Sequence, residues 1–565
     1  MLSIRKIGVI SRTYRHLNRY RHILAVLLKH GFGELVESLK IDQYLEVGLQ
    51  LISRKKALRE EPLTRPQRLR MVLEELGPTY IKLGQVLSTR PDLIPVEFTE
   101  ELSKLQDSVP PFSFADAETI IQRELGAPAS DVFDRIDTEP AASASIGQVH
   151  RARLKNGEEA AVKIQRPGIR AVIEVDLEIM LHLATLAERH VEELALHKPV
   201  TIVEEFARTL EKEIDFRIEA ANIDRVAQSF LGDPAVYIPA VFREFSSAAV
   251  LTTEYVEGIK ISNIGELDAA GYDRRLLCSR GADIVLKQVF HHGFFHADPH
   301  PGNIFALPGN VICLLDFGMV GVVDRQTREM FVELVDSVVR RNESRAAQVL
   351  LQLTRWEQPP DLRQLERELS DFMGRHLYRP LKDIEVGKLL HDLLEIATRF
   401  HLQLPPDIFL MLKAISTVEA VGRMLDPEFD MIAKAAPFIE QVLMDRFKPQ
   451  RVAEDVGDLA ARMLKFLHQF PKDLLDLAGL LRQQKLSLQI KHDGLEKVLA
   501  THDQISNRLS FSIVIAALIV GSALIVISKT PPLFYGISLI GIIGFLAAAL
   551  MGIWLLVAIL RSGRL

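Results

Sequence analysis

Two short stretches hold residues whose types and spacing could do chemistry together. The first is His296-Ala-Asp298-Pro-His300-Pro-Gly302-Asn303, and the second is Asp316-Phe317-Gly318, reached through Leu314 and Leu315. They read H-x-D-x-x-x-x-N and D-F-G. A carboxylate, an amide and a second carboxylate in this order suit phosphoryl transfer. That reaction needs one carboxylate to orient the attacking oxygen, and hard oxygen ligands to hold Mg²⁺ against the phosphates of ATP. Asp298 fits the first role, and Asn303 and Asp316 fit the second. A D-F-G triplet alone is an ordinary turn after a buried strand; it is the pairing, order and spacing that carry the reading. A zinc site built from His292, His296 and His300 would need a helix, and Pro299 and Pro301 break any helix there.

The two loops resemble the catalytic and metal-binding loops of protein kinases, which fixes what must lie upstream. A β-rich stretch is predicted over Val132 to Ile136, Gly147 to Leu154 and Glu158 to Ile164, with Lys155-Asn156-Gly157 as a hairpin turn. The third strand ends Ala161-Val162-Lys163, placing Lys163 where a lysine would meet the α- and β-phosphates. Between the first two strands lies Pro140-Ala-Ala-Ser143-Ala144-Ser145-Ile-Gly147-Gln148, small residues where a kinase has glycines. Ala144, Ser145 and Gly147 permit close approach of phosphate, and Ser143 and Ser145 can donate hydrogen bonds, although Cβ atoms restrict the backbone. Two long helices follow, roughly Ile169 to His190 and Thr201 to Phe230. Glu219 on the second is the carboxylate expected to pair with Lys163. Glu213 and Asp215, two apart, cannot share one face of a straight helix.

Further strands are predicted at Ile238 to Phe242 and Val250 to Tyr255, then a hinge at Val256-Glu257-Gly258. A helix over Arg274 to His292 leads into the catalytic loop. Ile304 to Leu307 and Val311 to Leu315 form a hairpin through Pro308-Gly309-Asn310 that delivers Asp316. Only Met319 to Val323 separate Gly318 from the next helical pattern, with no A-P-E, which leaves little room to seat a peptide substrate. Helical patterns then run from about Gln326 to Leu481, broken near Gln358-Pro-Pro, Leu404-Pro-Pro and Phe470-Pro.

At 565 residues the chain is long enough for two or more domains. Hydrophobic residues at 48% and charged residues at 25% suit a globular body, and a net charge of −6 gives no general pull toward nucleic acid. The two cysteines, Cys278 and Cys313, have no CxxC spacing and sit in apolar surroundings, so there is no disulfide framework and a reducing compartment is favoured. The N-terminus is interrupted by Arg5, Lys6, Arg12, Arg15, Arg19 and Arg21 and does not look like a secretory signal. Residues from about Ile4 to Ile52 form a basic amphipathic stretch, which suits either an anionic membrane surface or packing on the domain. Leu509 to Ile527 and Leu533 to Leu560 carry no charge and are long enough to span a bilayer. Lys529-Thr-Pro-Pro532 joins them as a hairpin, and Arg508, Arg561 and Arg564 put its ends in the cytoplasm. Gly536, Gly541, Gly544 and Gly552 give the second span small faces for the first span or for a second copy of the chain.

One segment has no assignable chemistry by spacing alone: Lys82-Leu-Gly84-Gln85, on an amphipathic helix whose Tyr80, Leu83, Val86 and Leu87 share a face. It gains a role from a wider resemblance. Lys82-Leu-Gly84-Gln85, the Ala-rich loop, Lys163, Glu213-Ile-Asp215, Glu219, Asp298 with Asn303, and Asp316-Phe-Gly together resemble the UbiB family, atypical kinase-like proteins tied to ubiquinone biosynthesis. The likeness runs from about residue 5 to the end. It implies that the K-x-G-Q segment folds over the peptide-docking region, with Lys82 and Gln85 regulatory and Lys82 engaging Glu213 and Asp215. It implies an Ala-rich loop that disfavours ordinary kinase behaviour, from which Ser143 departs. It also implies ATPase activity coupled to lipid precursors of ubiquinone, with ATP and Mg²⁺ as cofactors. Expected partners are membrane lipids, ubiquinone precursors, ubiquinone-biosynthesis enzymes and a second copy, and no nucleic acid. The expected location is the bacterial inner membrane, soluble part facing the cytoplasm. The alternatives are a true protein or small-molecule kinase and a nucleotide-binding scaffold.

The expected architecture is α+β: a two-lobed protein-kinase-like fold with an N-terminal helical extension and a C-terminal transmembrane helical hairpin. The boundaries are 1–110 for the extension, 111–258 and 259–482 for the lobes, 483–508 for a juxtamembrane linker and 509–560 for the spans.

Overall fold

Alternation decides the strand that carries Lys163. In Glu159–Gln165, Ala160, Val162 and Ile164 are fully buried while Ala161, Lys163 and Gln165 are only half-buried on the opposite face. Such a strand has one apolar face and one face left for chemistry. The computed structural model describes residues 14–39, 63–88, 90, 93–105, 109–191, 198–356, 358–377, 385–446, 448–482, 495–534 and 537–561. The outer parts of the basic N-terminal stretch, Pro91, Asp92, Asp107, residues 483–494 of the expected linker, Gly536 and Arg564 lie outside them.

The strands are β1 Phe133–Ile136, β2 Ala142–Ser143, β3 Gly147–Leu154, β4 Glu159–Gln165, β5 Val236–Tyr237, β6 Val250–Glu254, β7 Ile259–Lys260, β8 Phe294–His296, β9 Ile304–Leu307, β10 Val311–Leu314 and β11 Val320–Val322. An antiparallel sheet runs β1-β3-β4-β6, with β2 also paired to β3. Its register sets Lys163 opposite Val149 and Leu251. The Phe114–Leu125 helix covers the buried face, with Ile121 and Phe133 almost wholly enclosed. Each such side chain contributes about 2 kcal/mol by burial. The second lobe begins with β5-β10-β9-β7, and β8 pairs with β11. Gly258 marks the crossing between lobes: a Cβ there would lie 2.7 Å from Leu307 Cδ2. Helices from Arg325–Val339 to Met431–Asp445 pack on a separate apolar core. This is the two-lobed kinase-like fold, with N-terminal helices against the Ile169–His190 helix.

The described part of the basic stretch, helix Tyr14–Lys29, packs on the domain rather than presenting its apolar face outward. Ile23 and Leu24 are buried, and Arg19 Nε pairs with the fully enclosed Asp176 at 2.7 Å.

Several expectations need correction. The helix expected over Thr201 to Phe230 is two, Pro199–Glu213 and Phe216–Ser229. The break is held by three bonds: Asp215 accepts from Arg217 N as an N-cap, Gln165 Nε2 donates to Ile214 O at 2.7 Å, and Phe216 N donates to Ala248 O. Capping aspartate at a helix start is a strong local preference. Ile238 to Phe242 is not a strand; Val236–Tyr237 pairs in the other sheet, and Val241 makes one isolated bridge to Thr253. Pro239 removes a ladder donor there. The helix over Arg274 to His292 finishes in π-helical geometry from Lys287 to His292. Pro471 does not end a helix, since Pro449–Arg482 runs through it. Residues 463–472 are exposed, so water can take the carbonyl that Pro471 frees.

The C-terminal unit, Asp455–Leu565, is distinct in its internal contacts. Two of its helices are long and apolar enough to cross a membrane, over Ser506–Ile527 and Leu539–Leu556. The first helix begins at Leu495, so the described part of the expected linker is helical. The second span begins later than expected because Leu533–Phe534 and Ile537–Ser538 pair as a small ribbon. Gly541 and Gly544 face Val526 and Ser522 of the first span, whose atoms would clash with any Cβ.

Candidate active site

Lys163 stands at the centre of the site. Its Nζ lies 2.9 Å from both carboxylate oxygens of Glu219 and 3.6 Å from Asp316 Oδ1. Glu219 comes from the first turn of Phe216–Ser229, so the break at Ile214–Asp215 is what aims that helix at β4. Burial opposes the charge on Lys163, but Asp316 and Glu219 outweigh it and keep the ammonium protonated beyond the ordinary lysine range. The Lys163 charge holds Asp316 well below the usual carboxylate range. Burial pushes Glu219 up against the pull of Lys163, and Asp316 adds to the rise. Lys163 is the cation in contact with both carboxylates, and Lys82 adds a weaker pull on Asp316.

Asp316 sits at φ 56°, in the left-handed region, where aspartate is tolerated better than most residues. Its Oδ1 accepts from Gly318 N at 3.2 Å. Phe317 is buried against the His296 ring, 5.2 Å between centroids. Asn222 Nδ2, on the same helix as Glu219, donates to Phe317 O at 3.0 Å.

The catalytic loop is tied to this strand end by His296. Its Nε2 is 3.1 Å from Leu315 O, and its Nδ1 accepts from Asp298 N at 3.1 Å. These two bonds define one neutral tautomer, with the proton on Nε2. Burial lowers the His296 pKa and favours that neutral form. Gln288 Oε1 fixes His296 N, and Ala297 N donates to Met319 O. Asn303 O accepts from Leu315 N at 2.9 Å, next to Asp316. No described residue hydrogen-bonds the Asn303 side-chain amide. That amide oxygen and an Asp316 side chain that is 52% exposed are hard donors of the kind Mg²⁺ takes, so the residues fit the ion.

Asp298 itself pairs with a residue the sequence did not flag. Its Oδ1 is 3.0 Å from Nζ of Lys413, on the Pro406–Leu425 helix. A lone lysine on an amphipathic helix carries no signal. Asn222, Gln165 and Gln288 were missed for the same reason, although the Asp215 cap was legible.

The small-residue loop is a tight turn, with Ala144 N donating to Gly147 O at 2.8 Å. Ser143 Oγ donates to Val109 O, and Ser145 is buried. Gly147 has a packing reason: a Cβ would lie 2.5 Å from Ile164 O.

The Pro78–Ser88 helix brings Lys82 against Glu213 as an ion pair. Asp215 is instead bonded by Arg217, at 2.9 Å to Nε and 2.6 Å to Nη2, so the two acids of Glu213-Ile-Asp215 do different work. Gly84 admits Leu105 and Leu73, which would clash with a Cβ, and Gln85 Nε2 donates to Leu105 O. Arg90 pairs with Glu205 at 3.1 Å.

Residues 104–350 match the ABC1 atypical kinase-like domain, residues 369–430 the UbiB helical domain, and residues 493–561 the ABC1/UbiB kinase-like C-terminal domain. A probable protein kinase UbiB from Marinobacter nauticus is 38% identical over 416 residues, 73% of this chain and 75% of the relative. The chain belongs to the UbiB family. An uncharacterized protein from the hydrogenase 1 5′ region of Clostridium pasteurianum is 32% identical over 547 residues, 97% of this UbiB-family chain and 99% of the relative. Among solved structures, the Rv3197–erythromycin complex from Mycobacterium tuberculosis is similar at 25% identity and TM-score 0.47, over 65% of this chain and 94% of that one.

Proposed function

We propose that this chain is a membrane-anchored, Mg-ATP-binding ATPase that supports ubiquinone biosynthesis. The observation that carries the reading is the Lys163 ammonium held between Glu219 and Asp316. A cation so placed would meet the α- and β-phosphates, and Asp316 and Asn303 would hold Mg²⁺ as hard oxygen donors. Bound Mg-ATP supplies the phosphoryl group. Asp298 orients the attacking water, and His296 keeps the Asp298 backbone in register with the Asp316 loop. Ala144, half-exposed in the tight turn, lines the phosphate side as a small residue, whereas Ser145 is buried. Water is the favoured acceptor over a peptide because the segment after Gly318 is short: β11 follows at Val320 and a helix at Arg325. Lys82 and Gln85 sit as a regulatory cover, with Glu213 as the anchor.

The apolar hairpin would anchor the chain in the inner membrane with its ends toward the cytoplasm, Arg508 and Arg561 lying at the ends of the spans. The partners this favours are membrane lipids and prenylated phenol precursors, together with enzymes of the same pathway. The test is steady-state ATPase of the purified full chain, with and without anionic vesicles and prenylated phenols. Asp316→Asn should abolish turnover in every condition; undiminished turnover in that variant overturns the reading. Labelled phosphate recovered on a protein or phenol, and not in water, would make it a kinase.

A further inference from the structure

We propose that Lys413 is a positioning residue of the phosphoryl-transfer site, fixing the Asp298 carboxylate toward the acceptor oxygen. The inference rests on the reading of Asp298 given above and adds a residue that no motif contains.

The backbone around Asp298 is already set. Its N–H goes to His296 Nδ1, and its carbonyl accepts from His300 N at 2.8 Å. What remains free is rotation of the side chain, and Lys413 is the cation that the described residues offer it. The helix that carries Lys413 is itself fixed by core packing, with Met411 and Ala414 both 0% exposed. The helix start is tied to the same loop system, since Asp407 Oδ1 accepts from Val322 N. Phe409, one turn before Lys413, is buried and lies 6.0 Å from the Arg90 guanidinium. One helix thus touches the catalytic loop, the strand after Asp316-Phe-Gly and the end of the Lys82 segment.

Magnitudes separate this from a stabilising contact. Both side chains are 34% exposed, and a pair so exposed is worth at most about 1 kcal/mol to folding. Ordering a lysine stem costs roughly as much. In phosphoryl transfer, by contrast, a misplacement of about 1 Å at the acceptor can cost about 100-fold in rate. The ammonium makes and breaks no covalent bond. It holds Asp298 where the attacking water can donate its hydrogen bond, and it faces the negative charge of the phosphoryl group in transit.

The test uses the full-length protein and ATP turnover in wild type, Lys413→Met, Lys413→Arg, Asp298→Asn and the Lys413→Met/Asp298→Asn double variant. Lys413→Met should lower kcat about 10- to 100-fold with KM for ATP within about threefold, and Lys413→Arg should restore most of it. In the double variant the losses should not multiply: it should match Asp298→Asn within about threefold. An unchanged kcat in Lys413→Met, a loss confined to KM, or multiplying losses in the double variant would overturn the proposal. Should the methionine variant fail to fold, Lys413→Gln carries the same measurements. If Asp298→Asn and Asp316→Asn both keep full turnover, the phosphoryl-transfer reading itself fails. If they lose it and Lys413→Met does not, only the role of Lys413 falls.

Discussion

The two walls of the cleft are built by different means. On one, Lys163 is enclosed between Glu219 and Asp316, all from positions that follow motif spacing, and its Glu219 side chain is only 7% exposed. On the other, Asp298 is a third exposed and meets Lys413 from a helix that belongs to another packing core. The nucleotide side is thus anchored by a buried carboxylate, Glu219, whereas Asp298 on the acceptor side takes its cation from a half-exposed lysine more than a hundred residues along the chain. A buried pair is costly to break because the surviving charge is stranded, whereas an exposed pair is cheap to break for folding and dear only for chemistry.

The sharpest way to break this contrast is Lys163→Met. It should reduce ATP turnover by at least about 1000-fold, roughly 4 kcal/mol of barrier, and also lower the melting temperature by stranding the buried Glu219. A variant that loses turnover yet melts like wild type would show the first wall to be no stiffer than the second. Next in size is Glu213→Gln. Lys82 is 11% exposed in that pair, so loss of the charge-assisted contact should lower stability by about 1.5 kcal/mol in denaturant unfolding. Asp215→Ala, which removes only a cap and an exposed partner, should cost about 1 kcal/mol.

Smaller still is an acid effect. Burial depresses the His296 pKa, so its contribution to stability is full above about pH 6.5, the unfolded value. It is lost as pH falls through the lower folded value. Melting temperatures between pH 7.5 and 5 should fall less steeply in His296→Asn, which keeps an acceptor for Asp298 N. A parallel decline in both proteins would remove His296 from the link between the walls. The least effect belongs to the thiols. Burial pushes Cys278 and Cys313 up to about 12, so iodoacetamide at neutral pH should label neither until denaturant is added, by mass spectrometry.

The same contrast explains what the sequence could and could not tell. Lys163, Asp298, Asn303 and Asp316 were legible because chemistry constrains their local spacing, and Glu219 because a helix must bring a carboxylate to Lys163. The strand that carries Lys163 was legible from its alternation to within a residue at each end, expected at Glu158 to Ile164 and found at Glu159–Gln165. The break at Ile214–Asp215 was obscured by apolar periodicity that continues through it, although Asp215 before an apolar residue is a start signal. Lys413 was illegible for a deeper reason: its position depends on how the helical core packs, and no window of sequence around it contains Asp298. Nor could spacing say that Gly84 and Gly147 serve packing, since the atoms that fill their missing side chains lie far along the chain.

The Lys82 segment carries a last consequence. Lys82 and Arg90 are the same number of residues apart as Glu213 and Glu205, and they pair in opposite order along the Pro199–Glu213 helix. Two matched anchor points on facing elements behave like pegs in a ruler. A slip of one residue along the helix would unseat both pegs together, so creeping motion is blocked. A shift of that kind therefore costs two ion pairs at once rather than one.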